Sequence, residues 1–137
     1  CYEDTRQSIL DEIEAWAQSD HTLQSPIAYL PGVAGLGKTT VSHSVARTLH
    51  HRNLLGASFF FARDVQGRSG LQNVCATIAY HLAHRHPSYK TNLCNVLREP
   101  VPSSCARQFQ ELLLDPLLKS KAPLNPLVIV FDALDEC

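Results

Sequence analysis

Gly32-Val33-Ala34-Gly35-Leu36-Gly37-Lys38-Thr39 reads G-x-x-x-x-G-K-T, the pattern of a phosphate-cradling P-loop. Each residue type has a chemical reason. Glycines let the backbone turn with positive φ and bring its N–H groups against phosphate oxygens, and a helix beginning near Gly37 adds the positive end of its dipole. Lys38 reaches the β and γ phosphates, and Thr39 offers a hydroxyl to a Mg²⁺ ion that bridges them. The candidate binding segment is therefore Gly32, Val33, Ala34, Gly35, Leu36, Gly37, Lys38, Thr39 and Thr40. With glycine near about 7% of residues, the pattern arises by accident on the order of once in a few hundred such chains.

The pattern gains weight from its setting, which must be a hydrophobic strand running in and a helix running out. Ile27-Ala28-Tyr29-Leu30 is a short apolar run after Pro26, and the spacing of Val41, Val45 and Leu49 predicts a helix over 39–49. A second acidic half lies near the other end of the chain. Leu127-Val128-Ile129-Val130-Phe131 is an unbroken apolar run of the kind expected for a strand buried on both faces of a parallel sheet, and it ends at Asp132. An aspartate at that strand tip is placed to hold the Mg²⁺ that Thr39 touches. Asp135 and Glu136 follow within a turn, and one of them is a candidate to orient or deprotonate an attacking water; Lys38, Asp135 and Glu136 are the candidate catalytic residues.

Composition narrows the class further. The chain is 45% hydrophobic and 18% charged with a net charge of −1, which gives no basic footprint for nucleic acid. No apolar stretch reaches the roughly 18 residues of a membrane helix, and no signal-peptide pattern opens the chain, so a cytoplasmic setting is expected. The five cysteines, at 1, 75, 94, 105 and 137, are odd in number and contain no C-x-x-C pair, which argues against a disulfide framework or a zinc site.

Between the two halves of the site the pattern is helical. Residues 5–18 place Ile9, Leu10, Ile13, Trp16 and Ala17 on one stripe, with Asp4 or Thr5 as candidate caps. Residues 70–85 put Leu71, Val74, Cys75, Ile78 and Leu82 on one face, and residues 105–119 hold Phe109, Leu112, Leu113 and Leu117, with Pro116 expected to kink or end the helix. A strand is expected over 55–61. His81, His84 and His86 cluster without an acidic or cysteine ligand beside them, so metal binding is not expected there. Arg63 follows the second strand, either as a solvated loop residue or facing the ligand edge of the sheet. His43, His50 and His51 read as surface or packing residues of the helix after the loop.

The P-loop, the stretch Gly56-Ala57-Ser58-Phe59-Phe60-Phe61-Ala62-Arg63 and the ending Phe131-Asp132-Ala133-Leu134-Asp135-Glu136-Cys137 together resemble the NACHT domain of fungal NOD-like receptors. The resemblance runs through nearly the whole chain, including the helix that precedes the loop and the Gln108-Phe109 helix before the strand that ends at Asp132, which matches the family's Walker B strand. It implies an α/β fold, a P-loop NTPase three-layer sandwich with a mostly parallel sheet, and a signalling ATPase that toggles between ADP-bound rest and ATP-bound, self-associating states. It also implies five or more strands, with one that follows Walker B inserted between the P-loop strand and the Walker B strand. Only three candidates are found, 26–30, 55–61 and 126–131, and there is no methionine. The chain therefore reads as a leading helix and linker over 1–25 followed by the N-terminal part of a NACHT-type domain over 26–137, its P-loop strand lacking a neighbour. Arg6, on the leading helix, is either a surface charge or, as the resemblance suggests, a contact to base or ribose.

Two functional classes follow. The first is an ATPase switch in which Lys38, Thr39 and Asp132 bind Mg·ATP and Asp135 or Glu136 promotes slow hydrolysis. The second is a nucleotide-gated scaffold that binds ADP or ATP to control oligomerisation with incidental turnover. A P-loop small-molecule kinase is a weaker third, because nothing in it calls for the tandem acids. No N-K-x-D guanine-recognition motif occurs, which favours ATP over GTP.

Overall fold

Two apolar segments far apart in sequence pair as neighbouring strands, and every helix is arranged around that pair. The computed structural model describes residues 3–19, 25–33, 35–62, 71–120 and 127–134. Among these, helix α1 spans Glu3–Gln18 and α2 spans Lys38–His51; strand β1 spans Leu55–Phe60 and β2 spans Val128–Asp132. Between the strands run a 3-10 turn at Leu71–Asn73, α3 (Val74–Arg85) and α4 (Pro87–Val96). A last helical run there comprises α5 (Cys105–Gln108), a π-helical turn (Phe109–Leu114) and α6 (Asp115–Leu118). β1 and β2 are parallel, with Ser58 opposite Val130, Phe59 opposite Phe131 and Phe60 opposite Asp132. The fold is thus α/β with a two-stranded parallel sheet.

Side-chain alternation along the strands, with a register irregularity between Leu55 and Ala57, divides the core in two. Ala57, Phe59 and Phe61 pack against Val74, Cys75, Ile78 and Leu82 of α3, Tyr89 and Leu93 of α4, and Leu112 and Leu113. Val128, with Leu55 and Val130, packs against Ala17 of α1 and Val41, Val45 and Leu49 of α2, joined by Ile9, Leu10, Ile13 and Trp16. Helices therefore cover both faces of the sheet. The stripes read from the sequence on α1 and α2 are the buried ones, and full burial of a residue such as Leu49 contributes about 1.5–3 kcal/mol.

The end of α2 shows how local sequence sets the chain's direction. Asn53 adopts φ 59°, its N–H donates to the His50 carbonyl at 3.0 Å, and the Leu54 N–H donates to the Leu49 carbonyl at 2.8 Å. This is a Schellman cap with asparagine in the left-handed position, and Leu54 joins Leu49 in the same apolar cluster. The chain then turns directly into β1.

The last helical run contains a coupled device. Pro116 has no N–H, so it cannot donate to the Leu112 carbonyl as a regular helix would require. The Tyr89 hydroxyl, fully buried, donates to that carbonyl instead at 2.6 Å. Burial, with a smaller contribution from Cys75, pushes the Tyr89 phenol well above its ordinary pKa. Nearby, Asn92 and Ser120 both donate to the Pro116 carbonyl, at 3.3 and 2.8 Å.

Several expectations are corrected. Residues 26–30 do not form a strand, and Ile27 and Tyr29 are 76% and 83% exposed. A strand needs a neighbouring backbone to satisfy its N–H and C=O groups, and β1 is the strand that β2 pairs with. Only Leu30 of the segment packs inward, against the α1–α2 cluster. β2 is not buried on both faces either, since Ile129 and Phe131 are 37% and 40% exposed. Asp4 and Thr5 fall within the span of α1, and their side chains lie outside what the structure describes. Leu71 and Phe109 are exposed rather than on the buried stripes. Helix α4 was not expected at all; Pro87 opens it and Tyr89 and Leu93, four apart, are its buried contacts.

Candidate functional site

The glycine-rich segment from Gly32 leads into α2 through backbone that favours glycine. Gly35 has φ 85° and Gly37 has φ 78°, ψ 25°, both in the left-handed region that costs an L-residue with a Cβ roughly 1–2 kcal/mol. The Leu36 N–H donates to the Val33 carbonyl at 3.4 Å, and the Val41 N–H donates to the Gly37 carbonyl at 3.0 Å, which starts the helix. No acidic side chain sits in the first turn of α2, so the positive end of its dipole is not offset there. Val33, Leu36, Thr39 and Thr40 are exposed, and Gly37 and Lys38 are half-buried. Ala34 lies outside the described residues.

Lys38 folds back along the loop. Its Nζ donates to the Gly32 carbonyl at 2.7 Å and to the Val33 carbonyl at 3.1 Å. An ammonium has three N–H donors, so two are spent fixing the side chain and one remains for a ligand oxygen. The side chain lies against Gly32, whose missing Cβ would stand 3.4 Å from Lys38 Cδ.

The tip of β2 reaches α2. Asp132 is buried, and its Oδ1 accepts a hydrogen bond from the Ser42 hydroxyl at 2.8 Å. Its backbone carbonyl accepts from the Phe61 N–H at 3.1 Å, which extends the β1 pairing beyond the strand ends. Immediately after it Ala133 takes φ 55°, a left-handed conformation for a residue with a Cβ, so the chain turns sharply as it leaves the strand. Beside Ser42, the His43 ring stacks on Phe60 with centroids 4.0 Å apart and planes 7° from parallel. The fold thus brings the two halves of the site together through Ser42, one turn after Thr39. Neither Ser42 nor the turn at Ala133 was singled out in the sequence, since the partner of Ser42 lies 90 residues away. Asp135 and Glu136, like Arg63, lie outside the described residues.

A hydroxyl at the start of α2 and a buried carboxylate at a strand tip form a hard-oxygen donor set, the kind that suits Mg²⁺. Thr39 and Asp132 therefore fit the ion in chemistry. Among the described residues no group of three or more His, Cys, Asp or Glu side chains is gathered to hold a metal. Burial pushes the His81 imidazole below its ordinary pKa, helped by His84 and Arg85, and does the same to His86 with Arg85. Cys75, Cys94 and Cys105 are free thiols. No helix among the described residues is long and apolar enough to cross a membrane.

Matched against protein families, residues 4–137 fit the family described as Nephrocystin 3, N-terminal. No curated protein and no solved structure gives a match. The family that matches is thus described by another name than the NACHT domain that the motifs resemble. On a match that spans nearly its whole length, the chain belongs to the Nephrocystin 3 N-terminal family.

Proposed function

We propose that this chain is the nucleotide-binding part of a P-loop NTPase, taking Mg·ATP or ADP at the loop before α2. The observation that carries the reading is the pairing of Lys38, held against the loop by the Gly32 and Val33 carbonyls, with an Asp132 fastened to the same helix by Ser42. Backbone N–H groups around Gly35 and Gly37 and the N-terminus of α2 favour the phosphates. The remaining N–H of Lys38 would serve the β and γ oxygens. Thr39 and Asp132 would hold Mg²⁺, which when bound neutralises phosphate charge. Asp135 or Glu136 orients the attacking water, so that hydrolysis returns the protein to an ADP state.

On the NACHT-like motifs we assign this cycle to an ATP/ADP switch that governs self-association of a fungal NOD-like receptor. A cytoplasmic setting suits its free thiols. The alternative, a scaffold that binds nucleotide without useful turnover, differs in one measurable respect. Phosphate release from Mg·ATP is followed for the wild type, Lys38→Ala and Glu136→Gln. The switch predicts slow release that both variants abolish, with Glu136→Gln still binding nucleotide. Lys38-dependent binding without release in the wild type establishes the scaffold instead.

A further inference from the structure

The P-loop pattern names its own cation ligands but not what aims the distant carboxylate at them. We propose that Ser42 is a positioning residue that sets the Asp132 carboxylate for a divalent cation, an inference that rests on the nucleotide-site reading above. The Ser42 hydroxyl donates to Asp132 Oδ1 at 2.8 Å across 90 residues of sequence. Asp132 is only 7% exposed, and a carboxylate so far from water needs directed partners. This bond occupies one of about four lone-pair sites and stops rotation of the carboxylate, leaving Oδ2 and the rest of Oδ1 to a cation.

Two neighbours hold the arrangement from either side. The His43 ring stacked on Phe60 seats this turn of α2 over the end of β1, whose Phe60 is the register partner of Asp132. The left-handed Ala133 turns the chain away directly after the carboxylate. Ser42 stands three residues beyond Thr39 on α2, and side chains at that spacing share a helix face. The serine therefore ties the carboxylate to the same helix that presents the exposed Thr39 hydroxyl.

The test is the Mg²⁺ dependence of binding of a fluorescent ATP analogue to the full chain, with the analogue also titrated in EDTA. Ser42→Ala should raise the Mg²⁺ concentration at half-maximal binding about tenfold, the scale of losing a hydrogen bond to a charged group, and leave binding in EDTA unchanged. Ser42→Thr should restore the wild-type midpoint, and Ser42→Val, of the same shape without the hydroxyl, should not. The Thr and Val pair also decides the matter if the alanine variant does not fold. A wild-type Mg²⁺ midpoint in Ser42→Ala or Ser42→Val, with binding still dependent on Lys38, overturns the role of Ser42 alone. Binding that Lys38→Ala leaves intact overturns the nucleotide-site reading and this inference together.

Discussion

Replacing Tyr89 with phenylalanine removes one oxygen atom from the core, and its cost follows from the helix it touches. The hydroxyl donates at 2.6 Å to the Leu112 carbonyl, whose usual helical donor at position 116 is a proline. Tyr89 is 0% exposed, so water does not replace the lost donor at the phenylalanine ring. The variant loses a buried hydrogen bond and takes from the Leu112 carbonyl the donor that stands in for position 116, together about 1.5–3 kcal/mol. For 137 residues that corresponds to a fall in thermal midpoint of about 5–10 °C. A double-mutant cycle isolates the cause. In a Pro116→Ala background the restored N–H can serve Leu112, so Tyr89→Phe should cost at least about 1 kcal/mol less there. Urea denaturation of the four proteins measures the coupling. Equal costs in both backgrounds, or a Tyr89→Phe protein as stable as the wild type, would refute the compensation argument.

Other outcomes follow from the same structure. Ala133 sits at φ 55°, so Ala133→Gly should be neutral within about 0.5 kcal/mol or stabilising, whereas Ala133→Val should lose more than about 1.5 kcal/mol in urea denaturation. His81 and His86 are held neutral below their ordinary pKa, so the unfolded chain binds more protons than the folded one as pH falls. The thermal midpoint should therefore be highest above about pH 6.5 and decline through pH 5, and His81→Gln with His86→Gln should flatten that decline. Tyr89 works in the opposite direction: its raised pKa keeps the folded phenol protonated, and stability should fall as pH rises above about 10, a slope that Tyr89→Phe removes.

What the sequence disclosed and what it withheld divide along the range of the interactions. Helices α1 and α2 were legible because their apolar residues recur every three or four positions and a stripe of that kind has one way to be buried. The strands β1 and β2 were legible as apolar runs. Their pairing and its parallel sense accord with helices lying between them in sequence. The segment Ile27–Leu30 has strand composition too, but strand formation depends on a neighbour's backbone, which no local pattern reports. Helix α4 escaped because Tyr89, Leu93 and Val96 are separated by polar residues and leave only a thin stripe. The glycines at 35 and 37 were legible as turn residues, and both take positive φ. Ser42 was not legible, because its partner is 90 residues away and a serine on a helix carries no signature of whom it will meet.

The measurement that bears most directly on the central claim is equilibrium binding of fluorescent ADP and Mg·ATP to the wild type and to Lys38→Ala. The account predicts saturable binding by the wild type that weakens at least about tenfold in the variant, since an ammonium bonded to the loop at 2.7 and 3.1 Å is lost from the phosphates. Equal binding by both proteins, or none by a folded wild type, would contradict it.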